Sequence, residues 1–167
     1  METAAIAFGS NLGDSASICL EAIGLLRACS SIRVRAVSSL YETRPVGGPR
    51  NQNWFVNGAV LCETALAPAD LLGKALAIEH RFGRTRSVRW AARTLDLDLL
   101  FYGSRIIGEP GLTVPHPRLH ERLFVLTPLA EIAPDWEHPL LRLTARQLLE
   151  NLLAAGTSEE VRLVDKT

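Results

Sequence analysis

Hydrophobic and polar positions along this chain switch repeatedly between the strand period of two and the helix period near 3.6. Ala4 to Phe8 is a short apolar run that predicts a strand, closed by Gly9-Ser10-Asn11-Leu12-Gly13-Asp14. After Asp14 or Ser15 as N-cap, Ile18, Ala22, Leu25 and Cys29 recur at helical spacing and predict an inward helix face. Ile32 to Leu40 alternates Ile32, Val34 and Ala36 against Arg33, Arg35 and Val37, the pattern of a half-buried strand. Tyr41 to Pro49 is rich in Pro and Gly and predicts a loop, and Asn53 to Glu63 returns to strand character. Pro68 suits the first position of a helix that runs to about Phe82 and stops at Gly83. Its inward stripe is Leu71, Ala75, Ile78 and Phe82, with Glu79 on or beside it, half-buried.

Leu95 to Leu100 reads as another strand. Tyr102-Gly103-Ser104 is a turn into a short strand at Arg105 to Ile107, and Leu112 to Pro117 then sets His116 between two prolines. Phe124 to Ile132 is a further apolar segment, and Thr144 to Leu153 gives an amphipathic helix with Leu148, Leu149 and Leu152 inward. The tail from about Gly156 is polar except for Val161, Leu163 and Val164, and either frays or adds an edge strand. The order β-α-β-β-α-β predicts a ferredoxin-like α+β fold, an antiparallel sheet with helices packed on it plus C-terminal helices. Residues 1–167 form one expected domain.

Composition narrows the function. The chain has 167 residues, 47% of them apolar, enough for a sizeable core. Eighteen basic and eighteen acidic residues cancel, which argues against a general binder of polyanions. Cys19, Cys29 and Cys62 fit no metal spacing and read as buried, reduced thiols, the first two in the helix and the third in a strand. The first residues show no secretory pattern and no apolar run approaches the roughly 20 residues of a membrane span, so a cytoplasmic protein is expected.

The chemistry concentrates between Gly83 and Leu100. Arg84, Arg86, Arg89 and Arg93 come with no acid among them, a cluster suited to polyphosphate because Arg pairs bidentately with phosphate oxygens. Asp96 and Asp98 then share one face of a strand, about 7 Å apart, opposite to Leu95, Leu97 and Leu99. Such a pair repels unless a cation sits over it, and magnesium prefers one or two carboxylates supplemented by phosphate and water. Each signal has an ordinary structural reading, an exposed or salt-bridged strand face for the acids and a solvated loop for the arginines; their adjacency points to magnesium–nucleotide chemistry. The GSNLGD turn is neither a P-loop nor GxGxxG, and a plain capped turn explains it. Phe55 and Asn57 suit a pocket for a flat heterocycle or, equally, a core position and a strand-end turn. Glu79 suits a structural ion pair or a ligand contact, and His116 a structural role or a phosphate contact.

These residues carry a resemblance. AFGSNLGD, YETRPVG, FVNGAV, IEHRFGRTR, RWAARTLDLDLL and VPHPRLHERLFVLTPLAEIAP together resemble the 6-hydroxymethyl-7,8-dihydropterin pyrophosphokinases over about residues 4–153. The resemblance implies transfer of pyrophosphate from ATP to the pterin hydroxymethyl group in folate biosynthesis, releasing AMP. It implies two magnesium ions on Asp96 and Asp98 and catalytic arginines at Arg84 and Arg93. ATP contacts fall on Glu79, Arg84, Arg86, Arg93, Thr113, His116 and Arg122. The pterin would stack between Phe55 and Phe124 with Asn57 reading its edge, closed in by Thr43, Val46 and Trp90. Ala91-Ala92 stands where many relatives have Gly-Pro, Phe55 replaces a common Tyr, and Gly111 stands where some have Arg. ATP and the pterin are the expected partners, without nucleic acid or membrane, and the chain is expected to act as a monomer. A ferredoxin-like nucleic-acid-binding module and a DxD nucleotide-sugar transferase are the alternatives.

Overall fold

The computed structural model of the chain describes residues 1–11, 14–44, 54–83 and 95–164. β1 (Glu2–Ser10) leads to α1 (Ser15–Ala28), capped by Asp14, whose carboxylate accepts from the Ser17 hydroxyl at 2.8 Å. β2 (Ile32–Val37), β3 (Tyr41–Thr43) and β4 (Phe55–Thr64) precede α2 (Pro68–Arg81) and β5 (Asp96–Tyr102). A small hairpin of β6 (Ile107–Glu109) and β7 (Leu112–Val114), a 3-10 turn at Leu119–Glu121 and α3 (Leu123–Ile132) come next. α4 (Ala145–Ala155) opens with a capping box between Thr144 and Gln147, and β8 (Val161–Leu163) ends the fold.

The main sheet runs β5-β1-β4-β3-β8, antiparallel throughout, and β2 shares one edge of β4 with β3. This is the expected ferredoxin-like arrangement, since β1 returns beside β4 and β5 closes the outer edge. One face packs on α1 and α2 through Ile6, Phe8, Leu26, Val60, Leu71 and Leu97. The other packs on α3 and α4 through Ala5, Leu100, Phe101, Leu126, Leu129 and Leu148. β1 pairs Ala5 with Phe101 but Ile6 with Leu99, so Leu100 is an extra residue. That bulge turns Leu100 and Phe101 toward α3 and α4 while Leu97 and Leu99 face α1 and α2.

Several local expectations change. The buried face of α1 is Cys19, Ala22, Ile23 and Leu26, whereas Ile18, Leu25 and Cys29 sit at its margin. Apolar residues nearly encircle this helix, so spacing alone did not choose the face that meets the sheet. Cys19 and Cys62 are buried, and burial pushes their thiols up to about 12 and about 11. Cys29 instead is the helix C-cap and only partly buried. Tyr41–Thr43 is a strand rather than loop, held in register opposite Asn57 to Phe55. The strand expected at Arg105–Ile107 lies two residues later, because Gly111 at φ +79° makes the turn of the β6–β7 hairpin. Phe82 is partly buried as C-cap, and Glu79 is not half-buried but 2% exposed. The tail takes the edge-strand alternative, Val161 pairing with Thr43.

Candidate active site

Sheet register assembles the site. Asp96 pairs with Gly9, which pairs with Asn57, and Asp98 pairs with Ala7. Paired residues in an antiparallel sheet project to the same face, so both carboxylates and Asn57 face the side of α3. The β1 residues between them are Ala and Gly, so a hollow opens there. A Cβ on Gly9 would lie 2.6 Å from the Asn57 amide nitrogen, so only glycine leaves that amide its place.

Over this hollow lies a cavity of about 250 Å³ bounded by Thr43, Phe55, Asn57, Phe124 and the two aspartates. That is just below the roughly 300–1,000 Å³ usual for drug-sized ligands and suits a small flat one. The Thr43 hydroxyl donates to the Asn57 carbonyl oxygen at 2.7 Å, both side chains being buried. This fixes the amide orientation and leaves its NH2 as a donor. Arg122 stands over the Phe124 ring at 5.6 Å and brings positive charge to the rim.

A second cavity of about 350 Å³ lies on the other side of Asp98, against β7, with Glu79, Thr113 and His116 in its wall. Leu97 N–H donates to Glu79 at 2.7 Å, so the edge of β5 holds this buried carboxylate. His116 is tied to the same strand, its N–H donating to the Leu100 carbonyl at 2.8 Å. Its Nδ1 accepts from Arg118 N–H at 3.2 Å, which puts the proton of the neutral ring on Nε2. Burial holds the His116 pKa below its ordinary value; Asp98 pulls it up, while Arg122 and Arg118 push it further down.

Asp98 thus borders both cavities. Two hard carboxylate donors on one strand face, half-buried at Asp96 and exposed at Asp98, fit a hard divalent cation. Among the described residues, no group of three or more His, Cys, Asp or Glu gathers at one point.

Residues 5–134 match the family described as 7,8-dihydro-6-hydroxymethylpterin-pyrophosphokinase. The chain belongs to this family. A relative from Bacillus subtilis, named 2-amino-4-hydroxy-6-hydroxymethyldihydropteridine pyrophosphokinase, is 48% identical over 132 residues, covering 79% of this chain and 78% of its own. One of the same name from Pseudomonas aeruginosa is 44% identical over 156 residues, 93% of each chain. A Plasmodium falciparum HPPK-DHPS crystal structure superposes with a TM-score of 0.72 at 17% identity. It covers 92% of this chain, which spans 44% of that longer one, and the likeness is one of fold.

Of the site residues expected from sequence, the two cavities bring together Thr43, Phe55, Asn57, Asp96, Asp98, Arg122 and Phe124 on one side. Glu79, Thr113 and His116, again with Asp98, gather on the other. Val46, Arg84, Arg86, Trp90 and Arg93 lie outside the described residues, as do Arg89 and Ala91-Ala92. Sequence reasoning missed Arg44, Glu159, Glu160 and Val161, which also bound the first cavity. Arg44 lay within the YETRPVG motif without a role of its own. The only signal for the three tail residues was the apolar trio Val161, Leu163 and Val164, which hinted at a strand but not at its neighbour.

Proposed function

We propose that this chain transfers pyrophosphate from ATP to the hydroxymethyl oxygen of 6-hydroxymethyl-7,8-dihydropterin, yielding the pterin diphosphate and AMP in folate biosynthesis. The observation that carries the reading is Asp98 standing between an aromatic cavity and a polar one. The pterin ring occupies the first, between Phe55 and Phe124, with Asn57 on its edge and Thr43 holding Asn57. ATP occupies the second, against Glu79, Thr113, His116 and, across the strand, Arg122. Donor phosphates and acceptor oxygen then meet at the carboxylate pair. The acceptor oxygen bonds to the β-phosphorus, the bond from that phosphorus to the α–β bridging oxygen breaks, and the hydroxyl proton is released.

Asp96 and Asp98 would hold magnesium, two ions in the full reading, which neutralises phosphate charge and orients the in-line displacement. Arg84 and Arg93 bring charge to the transferred group, Arg86 to ATP, and Val46 and Trp90 close over the pterin. A neutral His116 donates through Nε2 to a phosphate oxygen without a second proton to lose. The chain works as one domain, as a monomer and in the cytoplasm; among the described residues no helix is long and apolar enough to cross a membrane. Family membership displaces the nucleic-acid and nucleotide-sugar alternatives.

The test follows AMP formation by purified protein with ATP, magnesium and the pterin, omitting each in turn. AMP that requires all three is expected. ATP left intact by folded protein would overturn the reading.

A further inference from the structure

The family match ends at residue 134, yet the aromatic cavity has a wall built from residues 159–161. β8 brings them there. Val161 pairs with Thr43, Arg44 N–H donates to the Glu160 carbonyl at 3.3 Å, and Val164 N–H donates to the Leu40 carbonyl at 3.0 Å. Arg44 and Glu160 also form an exposed ion pair at 3.3 Å.

Glu159 does something different. Its Oε2 accepts from the backbone N–H of Leu123 at 3.0 Å, at the first residue of α3. The residue before it, Arg122, gives that helix no side-chain cap, so the carboxylate from the tail satisfies an otherwise open N–H. Thr157 holds the carboxylate in place: its hydroxyl donates to Oε2 at 3.3 Å and accepts from Glu159 N–H at 3.2 Å. Leu123 lies between Arg122 and Phe124, both of which face the cavity. Anchoring the middle residue fixes the entry angle of α3 and with it the Phe124 ring and the Arg122 guanidinium above it.

We infer that Glu159 is a positioning residue for the acceptor, and that Glu159–Val161 forms a side of the acceptor cavity. The inference rests on the pterin reading of that cavity. Glu159 acts through Leu123 N–H, so what matters is an acceptor oxygen at that place rather than a negative charge read by the substrate.

E159A and E159Q separate these. Loss of a charge-assisted hydrogen bond predicts an acceptor KM about tenfold higher in E159A, with the ATP KM unchanged. E159Q keeps an amide oxygen for Leu123 N–H and should recover most of the difference. Amide exchange at Leu123, followed by NMR, should be faster in E159A and near wild type in E159Q. An unchanged acceptor KM in E159A, beside normal wild-type turnover, would overturn the inference alone. So would equal losses in E159A and E159Q, or a rise in both substrates' KM with a fall in melting temperature, the mark of a merely structural role. A wild-type chain that bound no pterin would overturn the reading of the cavity and this inference with it.

Discussion

The two faces of the sheet are built from the same strands and do different work. Against α1 and α2 the face is closed over most of its width, with Phe8, Val60 and Leu97 packed under Cys19, Leu26 and Leu71. It opens at the β5 edge, where the polar cavity lies beside Glu79. Against α3 and α4 it is covered only in part. Phe101 stacks on Trp136 at 4.3 Å beneath the helices, but beyond the first turn of α3 the row Asn57–Gly9–Asp96 meets the cavity. Alternation along β5 makes this arrangement inexpensive, since Leu97 and Leu99 go into one core while Asp96 and Asp98 go to the open side. A carboxylate pair can therefore sit on the open face of the edge strand without burying charge in a core. The separation predicts that lesions at the two cavities change chemistry and lesions in the closed core under α1 and α2 change stability.

The largest effect belongs to the carboxylates. Asp96→Ala or Asp98→Ala should lower turnover by about 10³-fold or more, because the phosphate charge loses its counter-ion support. The melting temperature should move little. An AMP assay beside a thermal melt checks both, and unfolding in either variant would break the separation of faces. Asn57→Ala is next. It removes the edge reader and leaves the Thr43 hydroxyl without its acceptor, so the pterin KM should rise about 30- to 100-fold while the ATP KM stays put. Equal rises in both would merge the two cavities into one.

Gly58→Ala probes the closed face directly beneath the site. Gly58 pairs with Phe8, and a Cβ there would come within 2.2 Å of the Phe8 ring. A well-packed core resists that, so a loss of about 1–3 kcal/mol is expected in denaturant titration. Activity per folded molecule should be kept. A specific loss of acceptor affinity instead would mean that the closed face tunes the open one.

How much of this was legible in the sequence depended on how local each signal was. Alternation placed Asp96 and Asp98 on one face, and the Pro68 start and Gly83 stop bounded α2 closely. Expectation failed where a partner decides the outcome. Tyr41–Thr43 sits among turn-forming residues and is a strand because β4 and β8 flank it. Glu79 lies beside an apolar stripe, and the Leu97 N–H across from it is what draws it in. Glu159 carries no motif at all; its function comes from a contact 36 residues away in sequence. The pairing of Asn57 with Gly9 and Asp96 is likewise a fact of register, set by whole strands rather than by any one residue.

The smallest effect tests the faces through protons. On the closed side the Cys19 and Cys62 thiols, pushed up to about 12 and about 11, stay protonated in acid and neutral solution and contribute no acid sensitivity. On the other side, His138 is buried beside Trp136 and His120, and its Nδ1 accepts from the Leu140 and Leu141 N–H groups at 3.2 Å. Burial first, and then His120, hold its pKa below the ordinary 6.5. The unfolded chain therefore takes up this proton before the folded one. The stability held by the neutral ring is complete above about pH 6.5 and is lost as pH falls through the folded value. His138→Asn keeps an acceptor near the position of Nδ1 and cannot titrate. Its melting temperature should fall less than that of the wild type between about pH 7 and about pH 5, with His116 supplying part of the slope that remains. An identical slope in the variant would show that His138 does not supply the acid sensitivity.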